Sequence, residues 1–133
     1  MLRRIRITRR ESSGLDPSEH TEAVRFMRHV NMNLLPKHPE LAWLHTIPNG
    51  GLRKRAVAIK LKAEGLKAGV YDYCLPWPRG GYHGFYLEMK AGEGRLSKEQ
   101  KDFKKFVTEQ GYRVVEVWGW EEAYNALCDY IAL

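Results

Sequence analysis

The sequence has 133 residues and a mass of 15.5 kDa, enough for one domain with a core of its own and no structural metal or disulfide staples. Hydrophobic residues make up 44% and charged residues 29%, a globular mixture that excludes wholesale disorder. No apolar run approaches the roughly 20 residues of a membrane helix, so no membrane association is expected.

The basic start MLRRIRITRR has no apolar stretch behind it and does not read as a secretory signal. Cys74 and Cys128 are too few and too far apart for a zinc cage or a disulfide framework, so a reducing, intracellular (cytoplasmic) setting is expected. Net charge is +6, and its distribution says more than its sum. Arg3, Arg4, Arg6, Arg9 and Arg10 fall in the first ten residues with no acid among them. Arg53, Lys54, Arg55, Lys60, Lys62 and Lys67 stand against Glu64 alone. From Tyr112 onward the acids Glu116, Glu121, Glu122 and Asp129 outnumber Arg113. Charge segregated in this way favours a polyanionic partner held on one face. Anionic lipid fits less well, because the arm has no apolar helical face.

In chain order, residues 1–17 read as a flexible basic arm, and residues 18–133 as a single domain. Ser18 can cap a helix running to about Val30, with Ala23, Phe26, Met27 and Val30 on one face. Residues 34–40, with Pro36 and Pro39, read as a loop. Ala42–Ile47 reads as a short strand closed by the turn Pro48-Asn49-Gly50-Gly51. Arg53–Glu64 is a helix stopped by Gly65. Val70–Leu75 and Tyr82–Lys90 form a hairpin around Pro76–Gly81. Ser97–Gln110 is a helix, Arg113–Trp118 a strand and Glu121–Ile131 a last helix. The order predicts an α/β fold, with a small central mixed β-sheet flanked by helices. The helix after Lys90 is a crossover, which makes its two flanking strands parallel.

The strand Phe85–Lys90 alternates. Phe85, Leu87 and Met89 point to one face, Tyr86, Glu88 and Lys90 to the other. Glu88 and Lys90 therefore make either a surface ion pair or a catalytic one. Asp72 lies in an otherwise apolar strand, between Tyr71 and Tyr73, and such local conflicts gather at functional sites; the bland reading is a turn acid. Hairpin pairing would set Asp72 beside Glu88. Two carboxylates that close repel unless a cation neutralises them, and Mg²⁺ is the hard ion that suits them. Ser97-Lys98-Glu99-Gln100 fits a capping box, but Gln100 also lies on the helix side of Phe103, which with Phe106 and Val107 is expected to face the core. Glu19 and Glu22 lie near the core-facing side of the first helix, where first-turn acids are also favourable by themselves. His20, His29, His38, His45 and His83 show no metal-ligand spacing. No Walker loop, dinucleotide fingerprint or serine-nucleophile elbow is present, so no small-molecule cofactor is expected.

Asp72, then Glu88-x-Lys90, then Gln100 resembles the PD-(D/E)xK nuclease superfamily, whose core is restriction-endonuclease-like. The wider text is similar to the stand-alone, phage-type VRR-NUC (virus-type replication-repair nuclease) domain. It includes Ile47-Pro48-Asn49-Gly50-Gly51-x-Arg53, the block Gly65-Leu66-Lys67-Ala68-Gly69-Val70-x-Asp72, Leu87-Glu88-Met89-Lys90 and Leu96-Ser97-x-Glu99-Gln100. Tyr71 stands where the family usually has Pro, and Ala23 where many relatives carry Gln. The resemblance implies Mg²⁺- or Mn²⁺-dependent hydrolysis of DNA phosphodiesters in replication, recombination or repair, in a phage or bacterial host. Asp72, Glu88 and the Met89 backbone carbonyl would be metal ligands, joined by Glu19, with Glu22 as runner-up. Lys90 would be the catalytic lysine and Gln100 the active-site glutamine. Relatives without extra domains resemble junction-resolving enzymes, which implies a homodimer acting on Holliday junctions or other branched DNA. The basic clusters would hold the DNA backbone. The rival is a DNA-binding module that keeps the fold without catalysis; a hydrolase of small phosphates is a third reading.

Overall fold

The computed structural model describes residues 2–7, 19–48 and 55–133. Helix α1 (Glu19–His29) continues through a wider π-helical turn (Val30–Leu34). A 3₁₀ turn (Pro39–Trp43) leads into β1 (His45–Thr46). Then come α2 (Arg55–Ala63), β2 (Tyr73–Leu75), β3 (Phe85–Lys90), α3 (Lys98–Glu109), β4 (Arg113–Trp118) and α4 (Trp120–Ile131). The four strands form one mixed sheet in the order β1-β2-β3-β4. The β1/β2 and β2/β3 pairs are antiparallel and β3/β4 is parallel, joined by the expected crossover α3.

Alternation along the strands separates two layers. Phe85, Leu87 and Met89 are buried with Tyr73, Leu75 and Val117 beneath α1, its π-helical continuation and α4, whose Phe26, Val30, Tyr124 and Leu127 fill the layer. On the other face a smaller core, Tyr71, Val107 and Val114, gathers under α3 with Phe103 and Tyr86 packed against it. Glu88 and Lys90 share that second face, as the strand period requires.

Several boundaries move. Ala42 and Trp43 belong to the 3₁₀ turn rather than to a strand, because Leu41 and Leu44 on either side turn inward together. Tyr82–Gly84 is not strand. Gly80 and Gly81, both at positive φ, close a tight turn in which Tyr82 N–H donates to the Arg79 carbonyl (2.8 Å). Residues 70–72 leave the β2 ladder for a reason that matters at the site below. Phe106 is 61% exposed, against the expectation that it faces the core. At the start of the expected arm Leu2 and Ile5 pack on the main core, and the Asn125 side chain on α4 exchanges two hydrogen bonds with the Ile5 backbone (3.0 and 3.1 Å). Residues 8–17 lie outside the described residues, as do Arg53, Lys54 and the turn at Asn49–Gly51.

Candidate active site

Past Tyr73↔Leu87 the backbone ladder between β2 and β3 is replaced by side chains. The Asp72 N–H donates to Glu88 Oε2 (3.1 Å), and the Met89 N–H donates to Asp72 Oδ2 (3.0 Å). Each carboxylate therefore takes a backbone donor from the other's strand. This reciprocal pair splays the two strands apart and fixes both acids at the opening. It also explains why an acid sits in an apolar run: its carboxylate does the work of a strand carbonyl.

Around Glu88 the remaining donors converge. Lys90 Nζ lies 3.3 Å from Glu88 Oε1, both side chains being largely buried. Gln100 Nε2 donates to the same oxygen at 2.6 Å. Gln100 also closes the capping box of α3: its Oε1 accepts from the Ser97 N–H (2.9 Å) while Ser97 Oγ accepts from the Gln100 N–H (3.2 Å). The amide has a donor end and an acceptor end, so one side chain serves both the helix start and the acid.

Gly69 brings the loop and α3 together. Its φ is +92°, and a Cβ there would sit 2.4 Å from the Glu99 backbone carbonyl, so only glycine lets the chain before Asp72 pass the start of α3. The resulting hollow, about 270 Å³, is lined by Glu19, Asp72, Glu88, Lys90, Ser97 and Gln100 among others. Glu22 is elsewhere. It is buried, and its Oε2 accepts from the Trp120 N–H (2.7 Å), supplying the acceptor that the Gly119 N-cap of α4 lacks. The helix-1 acid facing the hollow is Glu19.

Burial, and then the facing Asp72 carboxylate, push Glu88 up from the usual 4.5 to about 7. Asp72 is also raised, first by burial and further by Glu19, against the opposing pull of the Met89 N–H and Lys90. Two crowded carboxylates that resist ionising together, with Glu19 nearby and no His or Cys lining the hollow among the described residues, suit a hard divalent cation. Met89 belongs to the same edge, since N–H and C=O of one strand residue point the same way. Among the described residues no group of three or more His, Cys, Asp or Glu could hold an ion unaided. Water and phosphate oxygens would complete the shell, as is usual for Mg²⁺.

Arg4 is paired to Asp129 at 3.3 Å. Arg3, Arg6, Arg55, Lys60, Lys62 and Lys67 are exposed, and Arg9, Arg10, Arg53 and Lys54 lie outside the described residues. Sequence reading missed the support beneath the site. Tyr71 OH donates to Glu116 Oε2 (3.5 Å), and Lys104 Nζ meets Glu116 Oε1 at 2.6 Å, which ties α3 to β4 beside Glu88. Glu116 pairs with Glu88 in register and shares its face, and that spacing was the available signal.

Two acids and a lysine at a splayed strand edge of a mixed α/β sheet resemble the site of a nuclease domain of the PD-(D/E)xK type. The VRR-NUC domain family matches residues 11–119, and the chain belongs to it. DNA is the substrate such a domain implies. A solved structure described as "VRR_NUC domain protein" has a TM-score of 0.75 and 24% identity, over 89% of this chain and 91% of that one. At that identity the likeness speaks for the fold alone. No curated protein matches the chain. No helix among the described residues is long and apolar enough to cross a membrane.

Proposed function

We propose that the protein is a divalent-metal-dependent DNA endonuclease, selective for branched DNA and acting as a homodimer. The observation that carries the reading is the convergence of Asp72, Glu88, Lys90 and Gln100 on one small hollow, joined by direct contacts. Asp72, Glu88 and the Met89 carbonyl would hold Mg²⁺ or Mn²⁺, with Glu19 reaching it from α1. Such an ion, when bound, makes water a stronger nucleophile and neutralises the attacked phosphate. The chain supplies the rest. Lys90, anchored on Glu88, presents its ammonium to the negative charge that grows on the phosphate oxygens during hydrolysis. Gln100 holds Glu88 in one rotamer, so its second oxygen stays turned to Asp72. Arg3, Arg6, Lys60, Lys62 and Lys67 would track the backbone, which gives steep salt dependence. Selectivity for branches and the dimer rest on family resemblance, with a two-fold pair of sites meeting two strands.

The test is cleavage of labelled four-way junction, flap and linear duplex with Mg²⁺, Mn²⁺ or EDTA, wild type beside Lys90→Ala. Metal-dependent cutting lost in the variant is expected. Tight binding with no cutting under any metal would instead make the chain a binding module.

A further inference from the structure

On the α3 face, beside the acidic hollow, lies a larger cleft of about 840 Å³. Its walls are aromatic: Tyr86, Phe103, Phe106 and Tyr112 line it. Three of these are packed together, Tyr86 lying edge-on to Phe103 at 5.1 Å and 5.4 Å from Tyr112. Phe106 differs. It is 61% exposed, and its ring meets no other ring among the described residues. An exposed aromatic ring on the wall of such a cleft offers a flat face on which a planar group can stack.

Position and rim chemistry select that occupant. Ala68 lines both the cleft and the acidic hollow. Glu99 lines the cleft while the next residue, Gln100, binds Glu88, and successive α-carbons are only about 3.8 Å apart. A group in the cleft therefore sits next to the acids. Lys67 stands at the mouth, where a phosphate can meet it, and the carboxylates of Glu99 and Asp102 offer acceptors along the walls.

We propose that this cleft takes an unpaired nucleobase of the DNA, stacked on Phe106, with the neighbouring phosphate on Lys67. The inference rests on the nucleic-acid reading of the adjacent site. Every base has a π-face for the ring, and stacking of this kind is sequence-tolerant. The acidic acceptors match the exocyclic amines of adenine, cytosine and guanine; thymine has none. Unpaired bases occur where branched or flapped DNA leaves the duplex and not in plain duplex, so the cleft gives a physical route to reading DNA structure.

The experiment uses the full chain, with EDTA so that no strand is cut. Two DNAs carry one 2-aminopurine, either unpaired beside a branch or paired inside a plain duplex. Wild type is expected to quench the unpaired probe and leave the paired one unchanged. Phe106→Ala removes the quenching and weakens the unpaired substrate about tenfold, with plain duplex within twofold; Phe106→Trp restores both. Equal effects of Phe106→Ala on the two DNAs would overturn the proposal. So would a dimer in sedimentation that Phe106→Ala dissociates, since the face would then belong to a second copy. Quenching by a wild type that cuts under no metal would support the cleft and remove the nuclease reading. Metal-dependent cutting without quenching would do the reverse.

Discussion

The two faces of β3 differ in kind. Beneath α1 and α4, Phe85, Leu87 and Met89 are buried in a thick apolar layer, and Phe85 stacks on Tyr130 at 4.9 Å. On the α3 face the same six residues carry Tyr86, Glu88 and Lys90, and the apolar core there is small. One face concentrates the burial that stabilises the sheet. The other concentrates charge that opposes folding until something neutralises it. A half-polar strand can persist in so small a sheet because its reverse side is so well packed.

Substitutions three residues apart on β3, on opposite faces, should therefore give opposite phenotypes. Lys90→Ala is expected to lower cleavage by about 10²–10³-fold, the usual cost of losing a positioned charge at the reacting phosphate. Its unfolding midpoint should stay close to wild type; a large drop there would make Lys90 a structural residue. Leu87→Ala opens a cavity in the thick layer and should cost about 2–5 kcal/mol in denaturant unfolding. Retention of wild-type stability would mean that the main core is not where the sequence pattern puts it.

Asp72→Asn sharpens the comparison through pH. The folded state raises Glu88 from 4.5 to about 7, so it binds a proton more readily than the unfolded chain does. The stability tied to that proton is present below pH 4.5 and lost as pH rises through about 7. Removing the facing charge while keeping the acceptor for the Met89 N–H should stabilise the metal-free protein by about 1 kcal/mol at pH 8. Thermal unfolding at pH 8 and pH 4.5 checks this, and the gain should vanish at the lower pH. The smallest effect is Ser97→Ala, which cuts one bond of the α3 cap and should cost about 1 kcal/mol or less. Because Gln100 keeps its contact to Glu88, cleavage should fall only a few-fold, which the same labelled-DNA assay would read.

Period-two alternation was enough to place Glu88 and Lys90 together, and the Ser97-x-x-Gln100 spacing to place the start of α3. Both are local rules, and both survive in the fold. Pairwise choices between distant elements were not legible. Nothing in the spacing of Glu19 and Glu22 says that Glu22 supplies the missing cap of α4, 98 residues away in sequence. Nor does a run of arginines reveal that Leu2 and Ile5 within it pack on the main core. Both uses of Gln100 are legible in sequence, the cap from its spacing to Ser97 and the site from its side of the helix, because an amide has two ends. Phe106 escaped because helical spacing gives a face but not whether another element covers it.

Thermal unfolding at pH 8 in rising Mn²⁺, wild type beside Asp72→Asn, tests most directly the claim that Asp72 and Glu88 are a pair built for a cation. The wild-type midpoint should climb by several degrees and continue rising with concentration, as linkage to a folded-state site requires, while the variant, more stable without metal, should barely move. A wild-type midpoint indifferent to Mn²⁺, or an equal rise in both proteins, would contradict it.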